Sequence, residues 1–214
     1  MSVLVYVALA VAAAITAAVD WFIRGNVHTN NRPVGRGKLI DPAILSEQDH
    51  QIAQQTGEAI RQCFGGQLAE QIPHMSAQQR VDATKQLIEQ LTTLYHISIT
   101  SVNLVKMPEN ECGGYNPETG AITLNSIYLM TNNIACVKEF LDTIVHELRH
   151  ATQFSILEGN DFWQTSAETK VNWFHNIVPM SNYIKPERNF RQYVMQPVER
   201  DAFSFAYYSL KEVQ

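Results

Sequence analysis

The stretch Ile134-Ala135-Cys136-Val137-Lys138-Glu139-Phe140-Leu141-Asp142-Thr143-Ile144-Val145-His146-Glu147-Leu148-Arg149-His150 decides how this chain is read. Ile134, Val137, Phe140, Leu141, Ile144, Val145 and Leu148 recur at the spacing of one broad helical face. The last five residues carry the pattern H-E-x-x-H inside that helix. Positions i and i+4 share a face, so His146 and His150 can address a single ion, with Glu147 beside them in reach of a water on that ion. Zinc would lower the pKa of such a water to about 7, and a carboxylate taking its proton leaves a hydroxide able to attack a carbonyl carbon. That chemistry is amide hydrolysis. The competing reading, two ordinary histidines on a surface helix, conflicts with Ile144, Val145 and Leu148, which mark a buried segment where unpaired imidazoles are costly.

A catalytic zinc takes three protein ligands and keeps one position open, so a third His, Glu or Asp has to come from elsewhere. Glu199 is the best candidate. It lies two residues after Pro197, which suits the first position of a helix, and Ala202, Phe203 and Ala206 would turn its face to the core. Alternatively, Glu199 and Asp201 only complement the positive end of the helix dipole. His175, beside Trp173 and Phe174, is a rival ligand. A donor aimed at the developing oxyanion is also needed; Tyr193 and His175 are candidates, with simple packing or surface hydrogen bonding as the alternative for each. Arg149 points away from the ion and is read as a salt-bridge partner.

Outward from this helix, the pattern predicts an α+β architecture, a small sheet with several helices around the central H-E-x-x-H helix. One helix is expected over about 46–63. Another opens at Ser76, where Gln79 completes a capping box, and continues through Val81, Leu87, Ile88, Leu91 and Leu94. Alternation at Ile97, Ile99, Val102 and Leu104, and again at Ile122 and Leu124, reads as two strands joined by a turn-rich loop containing Gly113-Gly114. Beyond Asn125 the chain reads as helical, punctuated by Pro186 and Pro197. The 214 residues, 45% hydrophobic and 17% charged, suit one compact domain over 46–214. A net charge of -5 without a basic cluster excludes a nucleic-acid binder. Cys63, Cys112 and Cys136 are too few and too scattered for a disulfide scaffold and read as small buried hydrophobes.

Residues 1–24 are an apolar leader. Val3–Ile23, broken mainly by Thr16 and Asp20, is long enough to cross a bilayer as a helix. No base precedes it, which makes it a mediocre signal peptide, and Arg24, Arg32, Arg36 and Lys38 after it would keep the domain on the cytoplasmic side. Residues 25–45, rich in Gly, Asn, Pro and Arg, read as a linker. A secreted or translocated protein and one anchored through residues 3–23 are both compatible with this leader.

The run His146 to Gln153, then Trp173 with Asn176, then Tyr193 to Ala202 with Phe205 and Ala206, resembles the zincin metallopeptidases. Among these it is similar to the gluzincin type and to the zincin-like domains of bacterial polymorphic toxins and secreted effectors. These motifs cover about residues 112–207. The resemblance implies a zincin-like fold and one zinc ion held by His146, His150 and Glu199, with Glu147 as base. It also implies an edge strand that pairs with the substrate backbone, for which Gly114-Tyr115 through Ala121-Ile122-Thr123-Leu124-Asn125 is placed. The thermolysin-like arrangement has an acidic residue four positions after the ligand glutamate, where this chain has Phe203; support for the ligands would then come from Asp201, Asp142 or Gln153. The implied function is a zinc metallopeptidase, a toxin or effector acting on a protein or peptide, with a cognate inhibitor or immunity protein as a further partner. The alternatives are an amidase or peptidase acting on cell-wall peptidoglycan, and a membrane-tethered binding module with a structural metal or none.

Overall fold

The computed structural model describes residues 42–214 except 110, 179–181, 187, 212 and 214. The apolar leader and nearly all of the expected linker lie outside the described residues. Among those described, no helix is long and apolar enough to cross a membrane.

The domain is α+β. Its helices are α1 (Glu47–Phe64), α2 (Leu68–Gln71), α3 (Ala77–Tyr95), α4 (Ser126–Leu129), α5 (Ile134–Leu157), α6 (Ala167–Ile177), α7 (Phe190–Val194) and α8 (Pro197–Leu210); its strands are β1 (Ser101–Val105), β2 (Gly113–Asn116) and β3 (Ala121–Asn125). Short 3-10 turns cover Pro42–Ile44 and Ile72–His74. Both long helices before the sheet start from a capping box. At Ser76 the partner is Gln79, as the spacing predicted; at Ser46 the same reciprocal bonds are made by Asp49, a shorter acid in the role usually taken by Glu.

The three strands form one sheet in the order β1-β3-β2, with β1 parallel and β2 antiparallel to β3. Two strands were expected where there are three. Gly113-Gly114, read as a turn, belongs to β2, because a side chain at Gly113 would collide with the Thr123 carbonyl, 2.6 Å from where its Cβ would stand, and with Thr143 of α5. The turn itself comes later. Asn116 accepts from the Glu118 and Thr119 amides, and Gly120 takes a left-handed φ of 64° before β3 begins. Ile122 and Leu124 point to the face that α5 covers, where Val137, Leu141, Ile144 and Leu148 are fully buried.

Helix α5 is the centre of the molecule and packs most extensively against α8, with α1 lying on α8 as well. Where these three helices meet, the core contains a charge. Arg149 of α5 makes a bidentate pair with Asp201 of α8, Nε to Oδ2 at 2.7 Å and Nη2 to Oδ1 at 2.9 Å, and its Nη2 lies 2.8 Å from Asp49 Oδ1 of α1. Trp163 and Phe205 lie against the guanidinium, 4.5 and 4.8 Å from its carbon to the ring centroids. The salt bridge expected of Arg149 is therefore a buried, three-helix joint. Burial alone would raise the Asp49 pKa; Arg149 and the Ser46 bonds outweigh it and hold the carboxyl below its ordinary 3.8.

Arg149→Met leaves Asp49 and Asp201 facing each other without a counter-charge, and chemical denaturation should report a loss of about 3–5 kcal/mol. Because Asp49 is held below its ordinary value, its contribution is complete above about pH 4 and is lost as pH falls through the depressed value. Asp49→Asn should accordingly flatten the acid limb of the stability profile; a limb of unchanged steepness would contradict this linkage.

Candidate metal centre

The apolar stripe of α5 faces the sheet and the core, which leaves His146 and His150 one turn apart on the side that meets α8. Helix α8 begins with Pro197 at its first position, and Glu199 sits in its first turn, where the helix dipole favours a carboxylate. The three side chains converge. Their potential ligand atoms lie within 4.8 Å of one another, and all three residues are buried, His146 and Glu199 at 0% exposure.

The separations test whether an ion fits. Four donors at about 2.05 Å around a tetrahedral zinc stand about 3.3 Å apart. His146 Nε2 is 3.4 Å from Glu199 Oε2, and His150 Nε2 is 3.4 Å from Glu199 Oε1. The two imidazole Nε2 atoms are 2.9 Å apart, within a few tenths of an ångström of that spacing, and each of them faces its own oxygen of the carboxylate. Two imidazoles and one carboxylate are a donor set that suits zinc. Burial disfavours a charge on His150, but the Glu199 carboxylate outweighs it and raises the pKa to about 9. Burial likewise works against a charged Glu199, and the two imidazoles hold it well below the usual carboxylate range.

The orientation of His150 is fixed behind the ligand atom. Gln153 Nε2 donates to the Val198 carbonyl at 2.9 Å and to Asp201 Oδ2 at 2.7 Å, so its Oε1 is left to accept from His150 Nδ1 at 2.8 Å. With the Nδ1 proton held by Gln153, Nε2 is the nitrogen that faces Glu199 and His146 and that, once deprotonated, would ligate an ion. Of the three residues proposed from the sequence to support the ligands, Gln153 and Asp201 supply this chain of bonds. Phe203, standing where an acid was missed, packs its ring on His146 with centroids 4.5 Å apart.

Glu147 is buried beside the group, and its Oε2 accepts the Tyr115 amide at 2.9 Å. Asn125 N donates to the Cys112 carbonyl, which sets the ladder phase: Gly114 faces β3, while the Gly113 and Tyr115 backbone groups face the open side of β2. The carboxylate of the H-E-x-x-H pattern is thus tied to the outward edge of a strand.

Other expected site residues fall elsewhere. Ala121–Asn125 is not an edge strand but the central one, paired on both sides. Ile122 and Leu124 are core, Thr123 pairs with Asn103 and Gly114, and the buried Asn125 gives its Nδ2 to the Met107, Pro108 and Glu111 carbonyls. Of the expected strand residues, Tyr115 alone touches the site. His175 is exposed on α6 and is not among the converging ligands; Trp173, Asn176 and Ile177 form the buried side of that helix. Tyr193 is buried one ring away, packed edge-on against Phe203 and Tyr183.

The tyrosine that reaches the ligands is Tyr183, which the sequence reading missed. Its hydroxyl donates to Glu199 Oε1 at 2.6 Å. Gln196 holds the segment in place by accepting the Ile184 amide at 2.6 Å and donating to the Ile184 carbonyl at 2.9 Å, and Asn176 donates to Gln196 in turn. Tyr183 lies between α6 and α7, and no sequence periodicity marked it.

No family model, no curated protein and no solved structure matches this chain. The geometry of the site therefore carries the functional reading by itself.

Gln153→Leu removes the acceptor for His150 Nδ1 while keeping the side-chain volume. A competition titration against a chromogenic chelator should show zinc affinity reduced about 10–100-fold; unchanged affinity would show that the outer bond does not orient the ligand.

Proposed function

We propose that this protein is a zinc-dependent peptidase of the zincin type, with His146, His150 and Glu199 as ligands and Glu147 as the general base. The observation that carries the reading is the convergence of three buried donors from two helices, with a second carboxylate, Glu147, on the same helical turn and bonded to an outward strand amide. Three His, Cys, Asp or Glu ligands rather than four converge among the described residues, which favours an open, hydrolytic site over a closed structural one. The ion, when bound, acts as a Lewis acid on the carbonyl oxygen and acidifies water.

The chain's own residues do the rest. Glu147 takes the proton of the attacking water and passes it to the leaving amine. The Tyr115 amide fixes Oε2 of that carboxylate. The outward side of β2, at Gly113 and the Tyr115 carbonyl, would pair with the backbone of an extended peptide. The Tyr183 hydroxyl donates its one proton to Glu199 Oε1 and would have to turn that proton to the developing oxyanion to take the role expected of Tyr193 or His175. Action on protein rather than cell-wall peptides, and a toxin or effector setting, follow from the motif resemblance.

The test is a pair of variants. Glu147→Gln should keep stoichiometric zinc by elemental analysis while peptide hydrolysis falls about 10²–10⁴-fold. Glu199→Ala should lose the metal as well. A zinc-loaded wild type that cleaves neither a peptide library nor purified peptidoglycan would remove the peptidase reading.

A further inference from the structure

A second cavity opens on the same side of α5 as Glu147. It has a volume of about 200 Å³, and Ser98, Tyr115, Ser155, Glu158 and Asn160 line it, with His96 at one wall. We infer that this cavity is a specificity subsite that takes a basic side chain, Lys or Arg, of an extended substrate; as a subsite it rests on the peptidase reading above.

Position is the first argument. Ala151, Ser155 and Glu158, all lining residues, follow Glu147 at i+4, i+8 and i+11, so one helical face carries both the carboxylate and the cavity wall. At 1.5 Å per residue they stand about 6 to 16 Å along the helix from Glu147. An extended peptide advances about 3.3 Å per residue, which places the cavity about two to five residues from the bond cut. Tyr115 joins the two regions. Its backbone amide bonds Glu147, and its ring stands at the cavity, 6.3 Å from that of Phe154. A peptide paired along β2 would pass from one to the other.

Charge is the second argument. Apart from His96, the lining holds no base, and Glu158 is its carboxylate. Burial, with Glu158 nearby, pushes the Tyr115 phenol up to about 12, so it stays neutral. Glu158 is also the C-cap of α5, a 24-residue helix with no basic residue in its last turn, so the negative end of the dipole is not neutralised there by the helix's own side chains. Hydroxyls and the Asn160 amide supply acceptors for a multi-donor head group. Ala151 and Phe154 offer apolar surface for its methylene stem. The His96 ring, stacked on Phe162 with centroids 3.5 Å apart, closes the far wall.

The experiment has two arms on the zinc-loaded full chain. In the first, Nα-acetyl-arginine methylamide and its glutamate counterpart are titrated while the Tyr115 and Ser155 amide resonances are followed. The arginine compound should bind at least tenfold tighter, Glu158→Gln should weaken it about five- to tenfold, and Glu158→Arg should abolish it. In the second, a peptide library should be cut with Lys or Arg enriched at one position two to five residues from the cleavage point, and Glu158→Arg should lose that enrichment. Equal binding of the two compounds, or indifference to Glu158→Gln, overturns the subsite whether or not peptides are cut. Arginine binding as expected with no peptide cleaved overturns the peptidase reading instead and leaves the cavity's preference for a basic side chain standing.

Discussion

The distance on which the candidate site depends is set by a buried ion pair that lies outside the group that could hold a metal. Arg149 precedes His150 by one residue on α5, and Asp201 follows Glu199 by two on α8. Their two parallel bonds, at 2.7 and 2.9 Å, allow one register between the helices. That register brings the Glu199 oxygens to 3.4 Å from both imidazole nitrogens. A lysine at position 149 could carry the charge but not the fork, and the helices would be free to slide by a fraction of a turn. Asp201 then serves a second purpose, since the oxygen that accepts from Arg149 Nε also accepts from Gln153 and so orients His150.

Placing these groups in the core has a thermodynamic consequence. A buried carboxylate or imidazolium is costly without a partner, and the centre answers this by pairing them: Glu199 lies between two imidazoles, and its Oε1 also accepts the Tyr183 hydroxyl. The same pairing makes the ligands pre-organised. No large movement is required to bring the donors to the separations of a tetrahedral ion, only an opening of the 2.9 Å gap between the two rings. Stability and readiness to bind a cation therefore come from one arrangement, with the outer bonds through Gln153, Asp201 and Gln196 holding the geometry from behind.

How far the sequence can be read depends on the range of the interaction. The α5 stripe, the capping box at Ser76, the helix beginning at Pro197 and the α+β composition follow from neighbours a few residues apart. The strand β2 escaped because Gly113 and Gly114 have no side chains to alternate; what selects Gly113 is the close approach of Thr143 and the Thr123 carbonyl from elsewhere in the chain. Ala121–Asn125 was expected at the edge from the family resemblance; its own alternation reports the two faces of a strand and not whether both its sides are paired. Tyr183 was missed because it acts across 16 residues, beyond the reach of any local pattern.

The sequence by itself determined the paired imidazoles and the carboxylate between them, because helical periodicity fixes which residues i and i+4 share a face. It also narrowed the third donor to Glu199 or His175. Only the tertiary structure decided between those two, brought Tyr183 rather than Tyr193 to the ligands, and gave the open strand edge to Gly113–Asn116. Each of these depends on contacts between elements far apart in the chain, set by the Arg149 joint and the packing of α8 on α5, and such contacts leave no periodic trace in the order of residues.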